Sequence, residues 1–292
     1  MRGKLNRRVT VSLYPARTCV QPHERFSNHL CGTATATHGL AGYDRRMRIH
    51  RPAIALFMLA ALAAITTLAP SVANAATQVS PYHFGDSVGH RQLVAVATGA
   101  PNAEHTMVIV GCIHGNEGAG IPIIRALRAG ATIANVRIWT ITCVNPDGHR
   151  ANTRQNARGV DLNRNFPYRW AASGSRGDTF YPGPRAASEP ETRAVMRMVR
   201  ALRPDITIWY HQHMNLVSRP PGAHRVALAQ AYARATGMRL RTLQNDHGTV
   251  TTWENHLFPA TSAFVVELPA GSLTTRAVRR HAAAVRLLAR GL

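Results

Sequence analysis

Beyond residue 75 the chain has no lysine, and its 25 arginines meet only 12 acidic residues, a formal balance of +13. Over all 292 residues the balance is +21. Such an excess favours polyanionic surroundings such as cell-wall polymers or anionic headgroups, although an all-arginine basic set also follows from genome composition alone. Aromatic residues make up only 6% of the chain, and no arginine block is interleaved with them as a strand-stacking groove requires, which argues against nucleic acid as partner. Cysteine is scarce. Cys19 and Cys31 fall in an N-terminal leader, leaving Cys112 and Cys143, and no spacing resembles a cysteine zinc site. No internal repeat and no long low-complexity linker follows residue 76, so the organisation expected is a single domain spanning 76–292.

From Met47 the chain runs Arg48, His50, Arg51, then an apolar stretch from Ala53 to Ala69, then Pro70 and the small-residue triplet Ala73-Asn74-Ala75. This reads as a secretory signal peptide over residues 47–75, cleaved after Ala75, and it predicts an exported protein without a stable transmembrane anchor. The competing reading is an anchor, but the apolar run sits at the bottom of the spanning range and ends in a cleavage-type triplet. Residues 1–46 precede a complete signal, so Met47 reads as the true start, with an authentic basic leader as the alternative.

Apolar runs predict strands at Leu93–Ala97, Met107–Gly111, Val136–Val144, Ile206–Tyr210 and Phe264–Leu268, mostly too continuous to leave a wet face. Helices are expected at Glu189–Leu202, with a Ser188/Glu191 capping box and a stripe of Val195, Met198, Val199 and Leu202, and at Ala223–Thr236 and Thr275–Leu288. Alternation of the two predicts an α/β/α sandwich around a mixed, largely parallel sheet, with a site at its carboxyl edge. Cys112 and Cys143 lie at two predicted strand ends, where a disulfide and two buried thiols are equally compatible with the pattern.

The junction after the second of these strands reads His114-Gly115-Asn116-Glu117-Gly118. A His and a Glu three apart on a turn that opens a helix point the same way, and imidazole nitrogen with carboxylate oxygen suits zinc. The strand from Ile206 leads into His211 and His213, which share a parity, so alternation does not choose between them as a third ligand. Glu267 closes an apolar run, where an acid is costly unless paired or functional. Two His and one Glu with an open fourth position is the pattern of a catalytic zinc site.

A further segment carries Asn145-Pro146-Asp147-Gly148, then Arg154, Asn156 and Arg158, then Gly159-Val160-Asp161-Leu162-Asn163-Arg164-Asn165-Phe166-Pro167. HGNE, NPDG, GVDLNRNFP and a final ELPAG occur in the order of the M14 zinc carboxypeptidase family, which the chain resembles from about Thr106 to Gly271, in particular the bacterial branch resembling murein peptide amidases. The resemblance implies one zinc per chain on His114, Glu117 and His211, with Glu267 as general base. It further implies that Arg154 polarises the scissile carbonyl and that Asn163 and Arg164 grip a terminal carboxylate, while Asp161 orients a ligating imidazole or holds the loop. The chain departs from many family members in one respect: residues 245–262 hold no tyrosine to close over substrate, only Trp253 and His256.

The function expected is an exported zinc metallopeptidase acting on a short peptide with a free carboxylate, such as a cell-wall stem peptide. Two alternatives remain open: a zinc deacylase of N-acyl amino acids, resembling succinylglutamate desuccinylase or aspartoacylase, and a non-enzymatic wall-binding module with a vestigial site.

Overall fold

The computed structural model describes residues 80–244 and 247–292; the expected leader and signal peptide lie outside the described residues. Seven strands form one sheet, β1 (Ser80–Asp86), β2 (Gln92–Thr98), β3 (His105–Val110), β4 (Val136–Ile141), β5 (Ile206–Ser218), β6 (Arg239–Arg241) and β7 (Ser262–Pro269). Their order is β1-β2-β4-β3-β5-β6, with β7 also on β5. The β1–β2 and β2–β4 pairs are antiparallel. All pairs involving β3, β5, β6 and β7 with their neighbours are parallel.

The helices are α1 (Ile121–Arg128), α2 (Pro146–Ala151), α3 (Pro190–Leu202), α4 (Ala223–Thr236), α5 (Val250–Leu257) and α6 (Thr275–Ala289). One face of the sheet offers Met107, Ile109, Ile206, Ile208, Phe264 and Val266 to α1, α4 and α6. The other offers Val108, Val110, Trp209 and Val265 to α3 and α5. Both faces are covered, which is why the strands read as continuous apolar runs, and each fully buried aliphatic side chain contributes roughly 1.5–3 kcal/mol.

Parity along β5 and β7 then places the site. His211 follows Trp209 and Glu267 follows Val265, so both side chains leave the sheet on the α3/α5 face, and the two residues are register partners. The strands β3, β5 and β7 are adjacent, and their carboxyl ends bring His114, His211 and Glu267 to one edge.

Three expectations change. The strand expected over Val136–Val144 stops at Ile141, because the following residues turn to let Val144 donate to Cys112 O (2.8 Å) and the two cysteines bond, S–S 2.02 Å. The Ser188/Glu191 capping box does not form: Glu189 is the N-cap, Ser188 donates to its carboxylate (2.7 Å), and Glu191 accepts instead from Val88 N (2.9 Å). The strand from Ile206 extends to Ser218, well past Tyr210, because β7 and then β6 supply partners for its polar second half. Among the described residues no helix is long and apolar enough to cross a membrane.

Candidate active site

The loop after β3 is shaped by its neighbours. Gly115 is required by close approach, since a Cβ there would lie 2.0 Å from the Gly148 carbonyl carbon. Asn145 caps α2 by accepting from Gly148 N (2.9 Å) and uses its amide nitrogen to hold Arg154 O (3.1 Å). Gly115 N donates to that same Arg154 carbonyl (3.3 Å), so the NPDG turn fixes the backbone of both the His114 loop and Arg154 without approaching the ligand group itself.

His114, Glu117 and His211 come together, all buried. His114 Nδ1 lies 2.9 Å from Glu117 Oε2, His211 Nδ1 lies 3.1 Å from the same oxygen, and the two Nδ1 atoms are 3.1 Å apart. Three lone-pair atoms aimed at one point call for a cation. A tetrahedral zinc with bonds of about 2.0–2.2 Å spaces its ligands roughly 3.3 Å apart, so the donor set and its spacing fit zinc. His213, by contrast, is exposed and outside the group.

Asp161 organises this cluster. Fully buried, it places Oδ1 3.1 Å from His114 Nε2, which sets the tautomer that leaves Nδ1 as the coordinating atom. Its Oδ2 accepts from Arg154 Nε (3.0 Å) and Nη2 (2.9 Å), while Arg154 Nη1 donates to Glu117 Oε1 (3.1 Å). Burial works to raise the Asp161 and Glu117 carboxyls, but the His114 imidazole and, at Asp161, the two arginines outweigh it and hold both well below the usual carboxylate range. Burial likewise opposes protonation of His114, and the Asp161 and Glu117 carboxylates overcome it, so its pKa is raised.

Glu267 is buried beside His211, and its Oε2 has no hydrogen-bond partner. Asn163 accepts from Val250 N through Oδ1 (3.0 Å), which orients its amide nitrogen as the free donor. Arg164 folds back to donate to Asn163 O (2.8 Å). Trp253 packs against Phe166 and Phe258 in the core, and His256 stacks on Tyr168 (3.8 Å between centroids), so neither covers the ligand group.

Two contributors escape a reading of the sequence. Gln212 donates its backbone N–H to Glu117 Oε2 (3.1 Å), and its side chain bridges Ala119 N (3.0 Å), Pro269 O (3.0 Å) and Gly271 O (2.9 Å), tying β5 to the segments that follow β3 and β7. Its place beside His211 was the only signal. Phe180 lies against Arg154 and Arg164 from a loop rich in Gly, Ser and Arg that carries no periodic pattern.

A family model described as zinc carboxypeptidase matches residues 65–261, which contain the three ligand-type residues, Arg154, Asn163 and Arg164 and stop short of Glu267. Murein peptide amidase A of Escherichia coli (strain K12) is 29% identical over 167 residues, covering 53% of this chain and 69% of that protein. Carboxypeptidase Z of Rattus norvegicus is 26% identical over 243 residues, covering 63% of this chain and 37% of that protein. The solved structure of a murein-tripeptide amidase from Escherichia coli O157 is similar with a TM-score of 0.60 at 25% identity, covering 76% of this chain and 96% of the other. Carboxypeptidase A of Helicoverpa armigera shares the fold, with a TM-score of 0.62 at 18% identity over 73% of this chain and 68% of the other. On the family match and this His-Glu-His group together, the chain belongs to the zinc carboxypeptidase family and is a zinc-dependent metallopeptidase hydrolase.

Proposed function

We propose that the protein is an exported peptidase that hydrolyses the terminal amide bond of a short peptide bearing a free carboxylate, a cell-wall stem peptide in its natural setting. Its reaction centre is the group His114, Glu117 and His211 with Glu267 as general base. The observation that carries the reading is the buried, unpartnered Oε2 of Glu267 next to a ligand histidine, an acceptor with no structural employment.

A bound zinc supplies Lewis acidity and a water acidified toward neutral pH. Glu267 takes a proton from the attacking water at Oε2 and returns it to the leaving amine nitrogen. Arg154, its Nε and Nη2 edge fixed by Asp161, donates to the carbonyl oxygen as negative charge develops there. Arg164, a planar fork, and the Asn163 amide nitrogen bind the terminal carboxylate. Support for the wall peptide comes from the murein peptide amidase relatives and the arginine excess; support for export comes from the segment 47–75.

The test is hydrolysis by the zinc-loaded protein of a murein tripeptide and of peptides with free C-termini, measured beside N-acyl amino acids. Cleavage of the peptides with little action on the N-acyl amino acids is expected. Preference for the N-acyl amino acids makes the protein a deacylase, and stoichiometric zinc without turnover of either class leaves a binding module.

A further inference from the structure

Phe180 is 55% exposed, the most open of the large apolar side chains among the described residues. Leaving such a ring in water has a cost, and no core residue holds it there. Its partners are cations. The Arg154 guanidinium carbon lies 5.1 Å from the ring centroid and that of Arg164 lies 5.3 Å from it. The ring is also not on a free-swinging loop: the next residue, Tyr181, gives its carbonyl to Asp161 N (2.8 Å), and Asn165 holds Pro182 O (2.7 Å). The chain therefore ties the base of this loop to the backbone of Asp161, the residue whose carboxylate also orients His114 and Arg154.

Two guanidinium groups sharing one ring carry like charges at close quarters and repel. Their common carboxylate neighbour, Asp161, is hydrogen-bonded by Arg154 but not by Arg164. The ring offers its quadrupole to both cations, which offsets the repulsion without consuming the N–H donors of Arg164. A carboxylate in the same place would occupy those donors and compete with an incoming acid.

We propose that Phe180 is a positioning residue that holds the Arg164 guanidinium in place as a receptor for the carboxylate end of the substrate, beside an Arg154 already anchored on Asp161 and Glu117. This rests on the reading of Arg164 as a group that binds the terminal carboxylate, given above.

The experiment measures KM and kcat of the zinc-loaded protein on a peptide with a free terminal carboxylate. Phe180→Leu is expected to raise KM about fivefold to tenfold with kcat within about twofold, and Phe180→Tyr to restore KM. Pentafluorophenylalanine at the same position keeps the shape and apolarity of the ring but reverses its quadrupole, and is expected to raise KM as Leu does; a packing role would leave it at the wild-type value. This third variant also decides the matter should Phe180→Leu not fold. Wild-type KM in the pentafluorinated protein, or a fall in kcat with KM unchanged, overturns the proposal. Wild-type protein inactive on every free-carboxylate peptide removes the functional reading itself, whereas an active wild type with unaltered variants removes only the role of Phe180.

Discussion

Two buried acid clusters lie on the α3/α5 side of the sheet and behave in opposite ways. Asp161 and Glu117 sit among His114, His211 and Arg154, and these partners keep both carboxyls ionised despite burial. Glu254, on α5, sits beneath the start of β5, accepting from the Thr207 hydroxyl and from Trp209 Nε1 (3.0 Å). Its partners are neutral donors, so burial prevails and pushes its carboxyl up to about 8. Depth is common to both, and the charge of the neighbours decides. The ionised cluster can bind a cation and orient a guanidinium; the neutral one pins a helix to a strand.

The largest way to break this contrast is to remove a member of the ionised cluster that also binds metal. His211→Ala is expected to abolish stoichiometric zinc and hydrolysis, while His213→Ala keeps both, as read by metal analysis of the dialysed proteins. Next comes Asp161→Asn, which leaves Glu117 as the remaining buried carboxylate against Arg154 and His114. Chemical unfolding should show a loss of about 3 kcal/mol, and zinc competition a 10- to 100-fold weaker site. A loss in neither would show that Asp161 is not the hub described.

The smallest effect on catalysis lies in the neutral cluster. A carboxyl whose folded pKa exceeds its unfolded one contributes stability that is full below about 4.5 and is lost as pH rises through about 8. The wild type should therefore weaken across that window, and Glu254→Gln should flatten the profile while leaving the peptide kcat unchanged. Unfolding curves at pH 5, 7 and 9 check the slope; a parallel pair of profiles would mean that Glu254 is ionised when folded.

Legibility from sequence follows the same physics. The doubly covered strands β3 and β7 declare themselves through apolar runs, α4 through its terminal Gly237, and α6 through the stripe of Val278, Ala282 and Val285. β1 stayed hidden because Ser80–Asp86 is an edge strand holding Pro81 and Gly85, and α2 because Pro-Asp-Gly is the composition of a turn. α5 opens on β-branched residues and is fixed by tertiary bonds, Val250 N donating to Asn163 and Thr207 and Trp209 donating to Glu254, which no local pattern records. At the site, motif spacing named His114, Glu117 and Glu267, but β5 parity left His211 and His213 equivalent. Their difference is three-dimensional: His211 lies where β5 and β7 still pair in register, just past the last β3 partner, and His213 lies at a register shift beyond it, in solvent.

The central claim is that a zinc site built on His114, Glu117 and His211 works through Glu267, and Glu267→Gln tests it most directly. Zinc content and peptide hydrolysis should be measured on the same preparation. The account predicts stoichiometric zinc with kcat reduced by about 10²- to 10⁴-fold. A zinc-loaded Glu267→Gln protein that cleaves the peptide at the wild-type rate would contradict it.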